Sequence, residues 1–321
     1  MKESGTDRVL LSHSSTGDQT TLPGLILRAQ SGFFEVETQQ GTVIATLRGR
    51  LKEKRQETDL AAIGDRVRLR LLDDGSGLIE EVEKRTRVLS RRAPGRETEQ
   101  VLVANPDQAL FVFAGADPDP NFRMLDRFLV VAEREKIPAM ICLNKIDLVD
   151  HRSAESEFRE YVSLGYPVLY ASAKTGKGIR RLYNHLKGHL TVLAGPSGVG
   201  KTSLLNAIDP ELRLRTMEVR QATRKGMHTT VYPQLIPIRG GGYVADTPGL
   251  KALGLWDIEP EELDAYFPEM RYLVADCDFS NCTHIHEPGC AVLAAVEGGR
   301  ISPERYDSYR RIRLGELDGG E

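Results

Sequence analysis

Between Pro23 and Arg92 the chain alternates apolar and polar residues in short stretches broken by glycine and polar turns. Gly32-Phe33-Phe34-Glu35-Val36-Glu37 and Thr42-Val43-Ile44-Ala45-Thr46-Leu47 are two such stretches. Arg66-Val67-Arg68-Leu69-Arg70-Leu71 alternates strictly and runs into the turn Asp74-Gly75-Ser76-Gly77. A period of two marks half-buried strands, and several in so short a span predict a small β-barrel. Arg91-Arg92-Ala93-Pro94-Gly95-Arg96 reads as a linker. Beyond it the pattern changes. Continuous apolar runs at 109–113, 139–143, 168–171, 190–194, 234–238 and 242–245 alternate with amphipathic helical stretches at 121–136, 154–164, 179–186 and 202–208. Apolar strands between helices predict a mostly parallel sheet covered on both faces. From Trp256 onward the pattern predicts an acidic helix over 260–266, a Cys/His cluster and an Arg-rich helix over 303–317. Residues 1–22 are Ser/Thr/Asp-rich and read as a mobile tail. The expected organisation is therefore multidomain: a tail (1–22), a β-barrel (23–92), an α/β P-loop domain (97–255) and a small α domain around a metal site (256–321).

Composition narrows the class. Hydrophobic residues make up 40% of the 321 and charged residues 28%, the balance of a globular protein. No run of 18 apolar residues is present, and the polar N-terminus offers no apolar core of a secretory signal, so a cytoplasmic protein is expected. Cys277, Cys282 and Cys290 crowd together while Cys142 stands alone in an apolar run, which points to metal ligation in a reducing compartment rather than to disulfides. The net charge of −3 excludes a polycation, so any nucleic-acid surface must be a local patch.

Gly195-Pro196-Ser197-Gly198-Val199-Gly200-Lys201-Thr202 fits the phosphate-binding pattern G-x-x-x-x-G-K-[ST], with an apolar strand before it and a helix beginning at Ser203 after it. The glycines let backbone N–H groups converge on phosphate oxygens, and the helix N-terminus adds its positive end. Lys201 is expected to reach the β- and γ-phosphates, and the Thr202 hydroxyl to ligate magnesium. Asp246-Thr247-Pro248-Gly249 closes a later apolar strand; its Asp suits the same magnesium, and the Gly249 N–H suits the γ-phosphate. In Lys225-Gly226-Met227-His228-Thr229-Thr230, one threonine, Thr229 or Thr230, is a candidate to complete the magnesium shell. His228 either positions water and stabilises charge or is a solvated loop histidine.

Asn144-Lys145-Ile146-Asp147 follows another apolar run. A carboxylate such as Asp147 accepts both the N1–H and the exocyclic amine of guanine, whereas adenine leaves it unpaired, a costly failure in a buried site. Asn144 and the Lys145 stem brace the ring. Ser172-Ala173-Lys174 supplies a second base-reading loop, its Ala173 N–H expected at guanine O6. The base-reading loops precede the phosphate loop, the reverse of the usual order, so the domain is a circular permutation of a GTPase. Leu250 stands where Ras carries the glutamine that orients water, and slow unassisted hydrolysis is expected.

Cys277, Cys282, His284 and Cys290 form a Cys₃His set suited to one structural zinc, with His286 a competing fourth ligand. Arg48, Arg50, Lys52, Lys54 and Arg55 make a basic run in a stretch holding 14 Lys and Arg against 11 Asp and Glu (23–92). It reads either as an RNA contact or as a solvated face.

Together these motifs resemble the bacterial ribosome small subunit-dependent GTPase A family. The resemblance extends over nearly the whole chain beyond the tail, including Asn105-Pro106-Asp107-Gln108 and Glu287-Pro288-Gly289-Cys290-Ala291-Val292. It implies an OB-fold barrel, a permuted GTPase domain with magnesium and GTP, and a zinc-binding domain. It also implies rRNA contact, late maturation of the small ribosomal subunit, hydrolysis stimulated by that subunit, and a monomer off the ribosome. Met227 and Val231 depart from the family pattern. The alternative function is a GTP-gated RNA-binding scaffold with incidental turnover.

Overall fold

The computed structural model describes residues 21–49, 60–92, 99–214, 233–246 and 258–316. Strands β1 (Leu22–Gln30), β2 (Phe33–Thr38), β3 (Gly41–Leu47), β4 (Arg66–Leu71) and β5 (Gly77–Val82) lie in the order β1-β2-β3-β5-β4. β4 then returns to pair with β1 and closes the barrel. Only β3 and β5 run parallel, which is OB topology. The alternation read from the sequence fills the interior: Ile26, Val36, Val67, Leu69 and Ile79 are fully buried. Beneath it Asp65 is also fully buried and accepts two hydrogen bonds from Arg85, at 2.8 and 2.7 Å.

Strand β1 belongs to two structures at once. Its first half, 22–25, pairs with β4, and Arg28 pairs with Gln234 of the second sheet. Leu27 is an extra residue against β2, and such a bulge turns the strand between its two partners. Arg91 and Arg92, expected in a linker, instead end β6 (Val88–Arg92), which forms an antiparallel hairpin with β7 (Glu99–Ala104).

The second sheet comprises β8 (Gln108–Ala114), β9 (Ala139–Asn144), β10 (Val168–Tyr170), β11 (Leu190–Ala194), β12 (Gln234–Pro237) and β13 (Tyr243–Asp246), ordered β10-β9-β8-β11-β13-β12. All are parallel except β12. Every residue of β8 is buried, as a strand covered on both faces requires. Ala109, Phe111 and Phe113 pack on one side with helix α1 (Phe122–Arg134). Leu110, Val112 and Ala114 pack on the other with α4 (Ile179–Leu186) and α5 (Lys201–Ile208). The helix expected over 154–164 is two, α2 (His151–Glu157) and α3 (Arg159–Ser163). The chain turns at Phe158, buried against Phe122 and Tyr161.

The role of Asn105-Pro106-Asp107-Gln108 becomes physical here. Asn105, in a left-handed conformation (φ 52°), donates to Gly64 O below the barrel and accepts from Thr86 N. Asp107 accepts from the amide of Leu190 at 2.7 Å. Gln108 donates to His185 O and to Thr191 Oγ1. Asn105, Asp107 and Gln108 thus tie the barrel, β11 and α4 to the start of β8.

The C-terminal part holds α6 (Ala291–Glu297) and α7 (Pro303–Arg313). The stretch 260–266, expected as an α-helix, is a 3₁₀ helix, and α7 ends at Arg313, four residues before the expected limit. Arg305 of α7 is 1% exposed and joins this part to the sheet domain. It donates to Asp126 on α1 at 2.6 Å and to Glu269 at 2.7 and 3.2 Å, and its guanidinium lies 4.7 Å from the Phe267 ring centroid. Tyr161 donates to the same Asp126. Removing one partner of a buried cluster strands the other charges, at about 3–5 kcal/mol. Arg305→Ala is therefore expected to lower unfolding stability by about that amount in urea denaturation, and Asp307→Ala, on the exposed side of α7, by less than about 1 kcal/mol.

Candidate nucleotide site and metal centre

The phosphate loop leaves β11 at Gly195 (φ 149°), where a Cβ would lie 2.0 Å from Val112 O, so only glycine lets the loop lie against β8. Ser197 and Gly198 are exposed, Val199 is buried, and Lys201, Thr202 and Ser203 form the first turn of α5. Lys201 Nζ donates to Gly195 O and Pro196 O, both at 2.7 Å, which holds the ammonium over the loop.

Asn144 ends β9, 1% exposed, and spends both ends of its amide. Nδ2 donates to Val199 O at 2.8 Å, and Oδ1 accepts from Ala173 N at 3.1 Å. The side chain therefore joins the phosphate loop to the second base-reading loop. The Ala173 N–H, expected at guanine O6, is directed to Asn144 instead. A Cβ at Gly200 (φ 90°) would sit 2.5 Å from Asn144 Nδ2, so glycine is required for that approach.

Asp147 lies in a 3₁₀ turn, 146–148, and accepts from Ser172 Oγ at 2.6 Å, with Lys174 Nζ 4.0 Å away. The Ser172 hydroxyl holds its carboxyl below the usual carboxylate range, burial opposes this, and its own backbone amide, Lys174 and Lys145 add to the lowering. The acid is thus ionised at neutral pH, as a guanine-reading carboxylate requires. Lys145 takes a left-handed conformation (φ 59°) and directs Nζ to Asp117 O, a partner the spacing of motifs did not reveal. Asn144, Lys145, Asp147, Leu148, Ala173, Lys174, Gly200 and Ser203 line one cleft of about 430 Å³.

Asp246 ends β13, one strand over from the phosphate loop. His228, Thr229, Thr230, Gly249, Arg50, Lys52, Lys54 and Arg55 lie outside the described residues. Arg48 follows β3, with Nη1 3.8 Å from Glu80 of β5, and Arg70 also contacts that glutamate at 3.2 Å.

The ligand atoms of Cys277, Cys282, His284 and Cys290 all lie within 4.8 Å of one another. Cys277 Sγ is 4.0 Å from Cys290 Sγ and 3.6 Å from His284 Nδ1, which is 3.4 Å from Cys290 Sγ. A tetrahedral ion with zinc-like bonds sets S···S near about 3.8 Å and S···N near about 3.5 Å, so the four side chains fit one. His286 is exposed and outside the group, so among the two histidines the geometry brings His284 to the cysteines. Two carboxylates that spacing did not single out support the set. Asp264 Oδ2 lies 3.1 Å from His284 Nε2, fixing which ring nitrogen faces an ion. Glu287 gathers Thr283 N and Oγ1, Ile285 N and His286 N, so the loop is wound around one acid.

Two expectations follow. Asp147→Asn weakens GTP binding by about 10–100-fold while leaving ATP binding as weak as before, measured by nucleotide competition. Asp264→Asn lowers metal affinity by about 10–100-fold, measured by competition with a chromogenic chelator.

Comparisons with known proteins bear on this geometry. The RsgA GTPase family model matches residues 82–256 and the RsgA N-terminal domain model residues 23–79. A protein of Gemmatimonas aurantiaca called small ribosomal subunit biogenesis GTPase RsgA is 45% identical over 92% of this chain and 97% of its own length. Its namesake in Bacteroides fragilis is 38% identical over 90% and 95%. The crystal structure of YjeQ from Thermotoga maritima superimposes with a TM-score of 0.76 at 37% identity, covering 94% of this chain and all of that one. That of YloQ, described as a circularly permuted GTPase, gives 0.73 at 33%, covering 94% and 96%. With the phosphate loop central in the sheet, the base-reading loops before it in the chain and an OB barrel ahead of both, the chain belongs to the RsgA GTPase family.

Proposed function

We propose that this GTP hydrolase acts as a maturation factor of the small ribosomal subunit, binding rRNA and turning over GTP in response to that subunit. The observation that carries the reading is the cleft in which Asn144, Asp147 and Ala173 meet Gly200 and Ser203, in a chain whose curated relatives bear the name of small-subunit biogenesis GTPases.

The proposed residue roles combine the cleft geometry with the sequence motifs. Asp147 pairs with the guanine edge, while Asn144 sets the distance between base and phosphate loops. Lys201 exchanges its two loop carbonyls for phosphate oxygens, and the amides of 198–202 take the remaining charge. Thr202, Asp246 and one of Thr229 and Thr230 would hold magnesium, which would offset phosphate charge. His228 orients water or stabilises charge. Cys277, Cys282, His284 and Cys290 hold a structural zinc with no open position. Arg48, Arg50, Lys52, Lys54 and Arg55 contact rRNA from the barrel, which precedes the GTPase (97–255) and zinc-binding (256–321) spans. Off the ribosome the chain is a cytoplasmic monomer; among the described residues no helix is long and apolar enough to cross a membrane.

Leu250 favours a second reading, in which GTP gates RNA affinity and turnover is incidental, because leucine cannot orient water. The deciding measurement is GTP turnover alone, with small subunits and with large subunits. Stimulation of about tenfold or more by small subunits only is expected, the partner supplying the missing positioning. Bound GTP without stimulation by either subunit supports the second reading.

A further inference from the structure

The GTPase sheet and the barrel are one continuous sheet, and the strand between them is the antiparallel β12. One backbone register links them: Arg28 of β1 faces Gln234 of β12, and Gln234 faces Asp246 of β13. Three strands thus place a barrel residue, a sheet-edge residue and the proposed magnesium-holding residue on one lateral row. The row is reinforced by side chains, since Arg28 Nη2 donates to Gln234 Oε1 at 2.5 Å. A second tie holds the far end of the same hairpin: Tyr243, opposite Pro237, donates its hydroxyl to Glu37 of β2. β12 begins at Gln234 and β13 ends at Asp246, so both residues lie at the same end of the hairpin. The hairpin is therefore fixed to the barrel at two points, one of them in register with the nucleotide site.

We propose that Arg28 and Gln234 are positioning residues that couple occupancy of the barrel to GTP hydrolysis, by moving the β12 end of the row with the barrel. Resting on the reading above, this assigns that regulation to one contact. Displacement of the barrel by bound RNA shifts Gln234, and through the paired backbone shifts Asp246 and the chain on either side of it. The Tyr243–Glu37 tie is the pivot, because it anchors the end of the hairpin away from the phosphates. With that end held, a shift of Gln234 is taken up at the Asp246 end it is paired with, and a packed interface answers such a shift in a discrete step. The contact costs the fold little when cut, since the Arg28 side chain is 48% exposed.

The test uses the full-length chain with purified small ribosomal subunits and follows GTP turnover against subunit concentration. Arg28→Ala and Gln234→Leu are expected to leave basal turnover, KM for GTP and the thermal midpoint unchanged, and to cut turnover at saturating subunit by about 5-fold or more. Gln234→Glu, which keeps an acceptor for Arg28, retains the stimulation. The double variant loses no more than either single one, because both remove the same contact. If the variants only raise the subunit concentration for half-maximal stimulation, Arg28 is a plain RNA contact and the proposal falls. Additive losses, or full stimulation in both variants, also overturn it. If the wild-type chain itself is not stimulated, it is the maturation-factor reading that fails.

Discussion

The nucleotide site depends on the amide of Asn144. One buried side chain holds the carbonyl of Val199 on the phosphate loop and the amide of Ala173 on the base-reading loop. A primary amide does this because it carries a donor and an acceptor a fixed distance apart. Aspartate at this position would leave Val199 O without its donor, and a larger side chain would collide with Gly200. The permuted order makes the link more consequential. Residues 144 and 173 are complete in the chain before the phosphate loop begins, and no covalent neighbour holds the two halves of the cleft in register.

From that link the rest of the arrangement follows outward. Strand β11 sits between β8 and β13, so its loop emerges where the two helical layers diverge, the usual crevice for a ligand in an open α/β sheet. Asn105, Asp107 and Gln108 fix the opposite end of the same strands. Asp147, held in its ionised form by the Ser172 hydroxyl, faces the same cleft.

Much of this was legible because it is local. Strand–loop–helix succession around Gly195 and Lys201, the spacing from Asn144 to Asp147, and the cluster from Cys277 to Cys290 are short-range signals, and the structure brings each set together. What stayed hidden acts across the fold. Asp264 lies 20 residues from His284, and Arg305 lies 179 residues from Asp126; no periodicity marks such partners. Spacing likewise does not show that the Ala173 amide donates to Asn144 Oδ1. The hairpin of β6 and β7 escaped notice because Arg91 and Arg92 read as punctuation. The 3₁₀ stretch at 260–266 has helical composition, and its tighter winding goes with the complete burial of Leu263 and Phe267.

The single apolar core shared by α1 and the C-terminal part has a consequence for how the protein is made. Phe128 and Leu129 of α1 belong to the same buried cluster as Phe267, Met270, Val292 and Tyr309. As the chain is synthesised, the outer face of α1 therefore stays bare until almost the last residue has emerged, and strand β11 waits for β13 on one flank. The barrel, by contrast, closes within the first part of the chain. Translation thus delivers a finished barrel long before the sheet domain is fully covered, and the face of α1 is complete only when the cysteine-bearing segment has docked.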